Sequence, residues 1–183
     1  MPTETEIKLR IADIAALRRR LDELGYSIKI PRTLESDQLY DRADQALRQS
    51  DQILRLRTRG TRSTLTYKGP AQRAPHKSRE ELEVDMSDGE TSERILHALG
   101  YKPTFRYQKF RTTYAAEGQP GLITLDETPI GEFLELEGEA DWIDTTAVSL
   151  GFGSNDYITG SYASLYREYR VKNPGTVPDA MVF

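Results

Sequence analysis

The chain has 183 residues, 37% hydrophobic and 30% charged, with a formal net charge of −4. That length fits one domain with a real core, and the acidic balance argues against a general nucleic-acid binder, which is usually basic. There is no cysteine, so disulfides and thiolate metal sites are excluded; the charged opening MPTETEIKLR is no signal peptide, no apolar run is long enough to span a membrane, and a cytoplasmic location is expected.

The first element is an alternating stretch, Glu4-Thr5-Glu6-Ile7-Lys8-Leu9-Arg10, which predicts a strand. The helical run DIAALRRRLDELGY follows and closes at Leu24-Gly25-Tyr26, with Arg18-Arg19-Arg20 expected on a solvated helix face. QILRLRTR (52–59) and STLTYKG (63–69) alternate on either side of Gly60 and Thr61, as in a hairpin. GPAQRAPHKS (69–78), rich in Pro and Gly, reads as a mobile lid. A second acidic pair, Glu81-Leu82-Glu83, precedes the helical run that ends at Leu99-Gly100-Tyr101. TFRYQKFRTTYAA (104–116), GLITLDE (121–127) and FLELEGE (133–139) are further strands. The last carries a third acidic pair, Glu135 and Glu137, before a helix closing at Leu150-Gly151-Phe152. SYASLYREYR (161–170) predicts a short helix, and NPGTVPDAMVF (173–183) a loose tail. The expected layout is one domain over 1–172 and a tail over 173–183. Glycine after an apolar helical run is a common helix terminator, and its threefold recurrence suggests internal duplication.

Sorting each strand by face separates apolar from ionised residues. Leu54 and Leu56 oppose Arg55, Arg57 and Arg59; Leu65 and Tyr67 oppose Thr64, Thr66 and Lys68; Leu82 and Val84 oppose Arg79, Glu81 and Glu83. Phe110 opposes Lys109 and Arg111; Ile123 and Leu125 oppose Thr124 and Asp126; Leu134 and Leu136 oppose Glu135 and Glu137. An open sheet with helices on the apolar face and charges in water accounts for this periodicity as well as a barrel does. The polar faces, however, hold mostly Arg, Lys and Glu, and the two signs are segregated by strand. A barrel interior has a use for that sorting: carboxylates hold hard divalent cations, and Arg and Lys hold phosphate oxygens. Such an interior is expected to be a wide, water-filled tunnel, because unpaired like charges in a packed core are costly.

Glu4-x-Glu6-x-Lys8 resembles the opening motif of the CYTH superfamily, the triphosphate tunnel metalloenzymes. The other segments are similar to that family in order: Gln38-Leu39-Tyr40-Asp41, Leu54-Arg55-Leu56-Arg57, Thr66-Tyr67-Lys68-Gly69-Pro70, Arg79-x-Glu81-x-Glu83, Lys109-Phe110-Arg111, Leu125-Asp126 and Phe133-Leu134-Glu135-Leu136-Glu137. The resemblance spans about residues 4 to 169. It implies an α+β fold: a closed eight-stranded antiparallel β-barrel open at both ends, with helices outside. It further implies Mg²⁺ or Mn²⁺ on Glu4, Glu6, Asp126, Glu135 and Glu137; Glu81 and Glu83 read either as additional or outer ligands or as salt-bridging groups. Lys8, Arg55, Arg57, Lys68, Arg79, Lys109 and Arg111 would hold the triphosphate. Glu6 and a Lys109–Tyr40 pair would be catalytic, the pair as general base. The implied activity is metal-dependent hydrolysis of a triphosphate; the alternatives are a class IV adenylate cyclase and a non-catalytic polyphosphate or nucleotide binder. A homodimer is expected by the same resemblance. His76 and His97 lie outside the tunnel strands and read as structural or surface residues, and Trp142 as packing.

Overall fold

Residues of alternating polarity form extended strands when one face can be buried and the other kept polar. The computed structural model describes residues 3–73, 75–175 and 178–183. Its strands are β1 (Thr3–Ile11), β2 (Ser27–Asp41), β3 (Ile53–Arg59), β4 (Arg62–Lys68), β5 (Gln72–Arg73), β6 (Lys77–Met86), β7 (Lys102–Ala115), β8 (Leu122–Thr128) and β9 (Gly131–Glu137). The spatial order is β1-β9-β8-β7-β2-β3-β4-β6, and β6 returns to pair with β1. Every pairing in this circuit is antiparallel. Eight strands therefore close into a barrel, and the open-sheet alternative falls away. The closing seam sets Glu4 opposite Arg79 and Glu6 opposite Lys77. The two-residue β5 pairs with the first two residues of β6.

The longest strand is also the one least visible in the sequence. β2 runs for 15 residues, whereas only Gln38 to Asp41 stand out as strand-like. Pro31 interrupts its pattern, and a proline cannot donate to a sheet ladder. The pairing with β7 slips between Ile28 and Ile30 and between Ile30 and Thr33, which lets Pro31 pass.

The helices are α1 (Ile14–Glu23), α2 (Ala46–Gln49), α3 (Gly89–Ala98), α4 (Ala140–Ser149) and α5 (Tyr162–Lys172). Asp13 and Asp88 cap the first turns of α1 and α3. The ends of α1, α3 and α4 share one geometry. Gly25, Gly100 and Gly151 adopt φ of 80°, 87° and 90°. The amides of Tyr26, Tyr101 and Phe152 reach back to the carbonyls of Leu21, Leu96 and Ala147. That is the Schellman arrangement, which needs a left-handed residue and favours glycine.

The outward apolar faces of β1, β8 and β9 meet α1 and α4 in the largest core cluster, which includes Ile7, Leu9, Leu21, Ile123, Leu134, Leu136 and Ile143. α3 covers Tyr40 and Leu56 on the opposite side. α5 packs at one end of the barrel with Tyr107, Phe133 and Met181. Trp142 belongs to the first cluster and donates to Gln119 Oε1 at 2.9 Å. A Cβ on Gly121 would fall 2.3–2.5 Å from the Trp142 ring, so the turn before β8 requires glycine for close approach. Gly121→Ala is expected to destabilise the fold by about 1–3 kcal/mol through overpacking. Because Trp142 is the single tryptophan, its fluorescence should report the change directly in a denaturant titration.

The tail is not loose where it is described. Met181 is fully buried and pairs by backbone with the β7 residues Arg106 and Gln108. Phe183 packs on Phe110 with ring centres 5.1 Å apart, and Tyr166 Oη donates to the carbonyls of Pro178 and Ala180. The free β7 edge before Phe110, where β8 has ended, offers these backbone partners. Thr176 and Val177 of the expected tail lie outside the described residues. The 69–78 segment is likewise tethered: β5 pairs with β6, and His76 Nε2 lies 2.8 Å from Asp144 Oδ1 on α4. Ala74 lies outside the described residues. No described helix is long and apolar enough to cross a membrane.

Candidate active site

The inward positions of the barrel strands enclose a cavity of about 520 Å³. Successive residues of one strand face face it at intervals of two: Glu4, Glu6 and Lys8 from β1; Arg55, Arg57 and Arg59 from β3; Tyr107, Lys109 and Arg111 from β7; Glu135 and Glu137 from β9. Lys68, Lys77, Glu81, Glu83 and Thr124 complete much of the wall. Strand alternation thus carries the charge pattern of the sequence directly into the lumen.

The charges neutralise one another in layers. Near the closing seam, Lys68 Nζ lies 2.5 Å from Glu4 and 2.7 Å from Glu81. Deeper in, Lys8 Nζ bridges Glu6 at 3.0 Å and Glu135 at 3.1 Å, and Lys77 also donates to Glu6. On the far wall Arg111 forks onto both oxygens of Asp126, at 2.7 and 2.6 Å, and reaches Glu135. Lys109 Nζ and Tyr162 Oη share Asp126 Oδ2 at 2.8 and 2.7 Å. Behind the arginines stand Glu35 and Asp37, both with no exposed surface. Glu35 contacts Arg57 at 3.2 Å and also Arg59; Asp37 contacts Arg57 at 2.8 Å and Arg55 at 3.5 Å.

Titration follows this geometry. Burial pushes the Glu6 carboxyl up, but Lys8 and Lys77 outweigh it and hold the group well below the ordinary range. Glu35 behaves alike, with Lys109, Arg57 and Arg111 overcoming burial. Burial and then Arg111 lower Lys109, against Asp126, Glu135 and Glu35. Glu4 is the opposite case. Burial, a hydrogen bond with Glu81 and the charge of Glu6 raise it to about 8. At the rim, Glu137 is raised by partial burial and then by Glu6 and Glu135.

No group of three or more His, Cys, Asp or Glu side chains is drawn close enough to hold a metal ion, among the described residues. The chemistry of the donors nevertheless fits a hard divalent cation. Glu4, Glu6, Glu81 and Glu137 line one cavity, and burial first, then neighbouring carboxylates, raise Glu4 and Glu137. Carboxylate oxygens suit Mg²⁺ and Mn²⁺. Raised pKa values also give a sign. The contribution of Glu4 to stability is full below the ordinary carboxylate range and gone once pH passes about 8. A cation that favours the ionised form reverses that loss. Mg²⁺ is therefore expected to raise the melting temperature more at pH 9 than at pH 6, and Glu4→Gln to flatten the difference. Thermal melts at the two pH values check this.

A family model described as the CYTH domain matches residues 2–162. The chain belongs to the CYTH domain family. A Methanocaldococcus jannaschii protein carrying the provisional name of an adenylate cyclase is 34% identical over 134 residues, 73% of this chain and 75% of its own. Among solved structures, a Pyrococcus horikoshii protein is 27% identical with a TM-score of 0.76, over 91% of this chain and 99% of the other. A Hippeastrum protein, whose description pairs the name adenylyl cyclase with a dominant triphosphatase activity, has a TM-score of 0.66 at 18% identity, over 91% and 96%. That last likeness shows the fold alone.

Within the CYTH barrel, the residues expected from sequence divide into three groups. Glu4, Glu6, Lys8, Arg55, Arg57, Lys68, Glu81, Glu83, Lys109, Arg111, Glu135 and Glu137 all line the cavity. Asp126 stands just behind it, fully buried under Lys109 and Arg111. Two residues are placed elsewhere. Arg79 spends its guanidinium on the carbonyls of Gly69 and Asp51, and so braces the loops at the seam. Tyr40 points outward under α3 and donates to Glu93 at 2.9 Å. The expected Lys109–Tyr40 pair therefore does not form, because inward Leu39 and outward Tyr40 alternate on β2. Tyr162 is the tyrosine beside Lys109, its ring centre 5.0 Å from Nζ. Of the two arginines at strand ends, Arg59 lines the tunnel, whereas Arg10 turns onto Phe133 and the Ile130 carbonyl.

Sequence sorting missed Glu35, Asp37, Lys77 and Tyr162. Glu35-Ser36-Asp37 repeats the spacing of the other acidic pairs, and that signal could have found it. Lys77 shares parity with Glu81 and Glu83 but falls within the predicted lid. Tyr162 comes from a helix and has no comparable signal.

Proposed function

We propose that the CYTH tunnel binds a triphosphate and hydrolyses it with a divalent metal ion, Mg²⁺ or Mn²⁺. One observation carries the reading: eight Lys and Arg side chains from four strands and the β6 start face a single cavity, into which Glu4 and Glu137, carboxylates with raised pKa values, also face. Cations on opposed walls suit the several negative charges of a triphosphate, and guanidinium forks suit its oxygens. When bound, the metal would lie on Glu4, Glu6, Glu81 and Glu137 and neutralise charge on the phosphate oxygens. Arg55, Arg57 and Arg111 bind and orient the chain of phosphates. Glu35 and Asp37 hold those arginines in place from behind. In hydrolysis, water attacks the terminal phosphorus, the bond to the bridging oxygen breaks, and the diphosphate leaves with that oxygen. Lys109, lowered by burial, is placed to take or return a proton once phosphate displaces Asp126 from it.

A second reading is cyclisation of ATP, in which the ribose 3′-hydroxyl attacks the α-phosphorus and pyrophosphate leaves. The name of the Methanocaldococcus relative supports it. The description of the Hippeastrum protein gives a triphosphatase activity under a cyclase name, so such a name does not by itself decide for cyclisation.

The test is to incubate the pure protein with tripolyphosphate, ATP or thiamine triphosphate, with Mg²⁺ or Mn²⁺, at neutral and alkaline pH. Orthophosphate without cyclic AMP is the expected result. Cyclic AMP with matching pyrophosphate would establish the second reading, and no product in any mixture would leave a binding module.

A further inference from the structure

Lys77 is a tunnel cation to which no sequence motif points, and its backbone is firmly placed. It opens β6 and is paired on both sides, with Glu6 of β1 and with Arg73 of β5. Its neighbour His76 is tied to α4, with Nε2 2.8 Å from Asp144 Oδ1, and Tyr157 Oη donates to the same oxygen at 2.8 Å. Both His76 and Lys77 are buried. The chain at this point is therefore held by two strands and by a helix. What can move is the lysine stem, four flexible carbons ending in a compact charge, and that side chain lines the tunnel.

Its ammonium sits on an oxygen that already has a donor. Lys77 and Lys8 both donate to Glu6 Oε1. Lys8 has a second acid, Glu135, at 3.1 Å, and lies 5.5 Å from the centre of the Tyr162 ring. For Lys77, Glu6 is the one acid within ion-pair reach among the described residues. Glu6 is also one of the carboxylates that would hold the metal. An ammonium group donates hydrogen bonds and accepts none, so it cannot ligate a cation, and it repels one at such range. A divalent ion and the Lys77 ammonium therefore exclude each other on Glu6 Oε1. Lys8 can remain on Glu135. Lys77 has only the tunnel to turn into, where phosphate oxygens would be its acceptors.

We propose that Lys77 is an internal counter-cation of Glu6: it yields the carboxylate to the divalent cation and carries its ammonium over to a phosphate oxygen of the triphosphate. The inference rests on the metal and triphosphate reading above. It makes the two ligands cooperative. With metal alone, the displaced ammonium has no anionic partner, so the metal binds weakly. With triphosphate present, the ammonium is taken up again. Such coupling is reciprocal, each ligand tightening the other by the same factor. The exchange needs only the rotation of one side chain, because β1, β5 and the His76–Asp144 tie hold the backbone.

Two titrations test it: Mn²⁺ alone, followed by electron paramagnetic resonance, and tripolyphosphate at saturating Mn²⁺, followed by calorimetry. Lys77→Met keeps an unbranched side chain and drops the charge. It is expected to tighten Mn²⁺ roughly fivefold or more, by removing a repelling cation, and to weaken tripolyphosphate by a similar factor. Lys77→Leu, equally neutral, should repeat both shifts. Lys77→Arg stays charged and should keep Mn²⁺ within about twofold of wild type. A lysine that only bound phosphate would, on removal, weaken tripolyphosphate and leave Mn²⁺ unchanged. One that only braced the seam would weaken both ligands. Either result, in protein that is folded by thermal melt, would overturn the inference. Wild-type protein that binds no Mn²⁺ sinks the metal reading and the inference with it, whereas wild-type binding without tightening in either neutral variant sinks the inference alone. Both expected shifts in a protein that turns no triphosphate over keep the inference and sink the hydrolytic reading.

Discussion

Glu35→Gln is expected to lower the melting temperature by about 10 °C at neutral pH. Glu35 has no exposed surface and faces Arg57, Arg59, Lys109 and Arg111 at once. Glutamine keeps the volume but removes the charge that lets these cations sit together out of water. Breaking a buried ion pair on one side costs roughly 3–5 kcal/mol, because the partner charge is left uncompensated. For a chain of this size each kcal/mol moves the midpoint by roughly 2–4 °C. The pH dependence has a definite sign. Glu35 is held below the ordinary carboxylate range by its cationic neighbours, so its contribution is full above that range and is lost as pH falls through the lowered value. The gap between wild type and variant should therefore close in strong acid. Tripolyphosphate supplies negative charge to the same guanidinium groups and should stabilise the variant more than the wild type. Thermal melts with and without tripolyphosphate measure both effects. A neutral-pH midpoint within 2 °C of wild type would show that Glu35 is not the counter-charge of the arginine wall.

That residue also marks where the sequence stopped being readable. A strand with unbroken alternation, such as Leu54-Arg55-Leu56-Arg57, declares its inward face because apolar and charged residues cannot exchange sides without burying charge against a helix. β1, β3, β4, β7, β8 and β9 are of this kind, and their lumen residues were legible. β2 carries Pro31 and neutral Ser36 and Gln38 between its acids, so its inward face was not sorted at all. The same gap explains Tyr40: once Glu35, Asp37 and Leu39 are seen to share a face, Tyr40 must lie on the other. Lys77 was hidden for a different reason. Its Pro- and Gly-rich surroundings read as loop, although β6 begins at that residue. Tyr162 and Met181 reach the barrel from a helix and from the chain end. Neither contact has a local periodicity, because each depends on where distant backbone happens to leave a partner, Asp126 for one and the open β7 edge for the other.

Arg111→Ala is expected to reduce kcat/KM for the triphosphate substrate by about 10²–10³-fold, the range for removing a preorganised charge that acts where negative charge develops. Arg111 is the link between the two halves of the site. It forks onto Asp126 on β8, reaches Glu135 on β9, and projects into the same cavity as Arg55 and Arg57 of β3, which lies beyond β2. An arginine already held by two carboxylates needs little reorganisation to accept a phosphate oxygen, and its planar fork matches two oxygens at once. Arg111→Lys keeps the charge but loses that fork, so it should recover only part of the loss. The comparison separates the catalytic use of the group from its structural one. A purely structural Arg111 would show its damage in the melting temperature, with the surviving folded fraction turning over at the wild-type rate. A binding and transition-state role instead lowers kcat/KM in protein that remains folded by thermal melt. Full activity of the folded Arg111→Ala variant would move phosphate binding away from this wall of the tunnel.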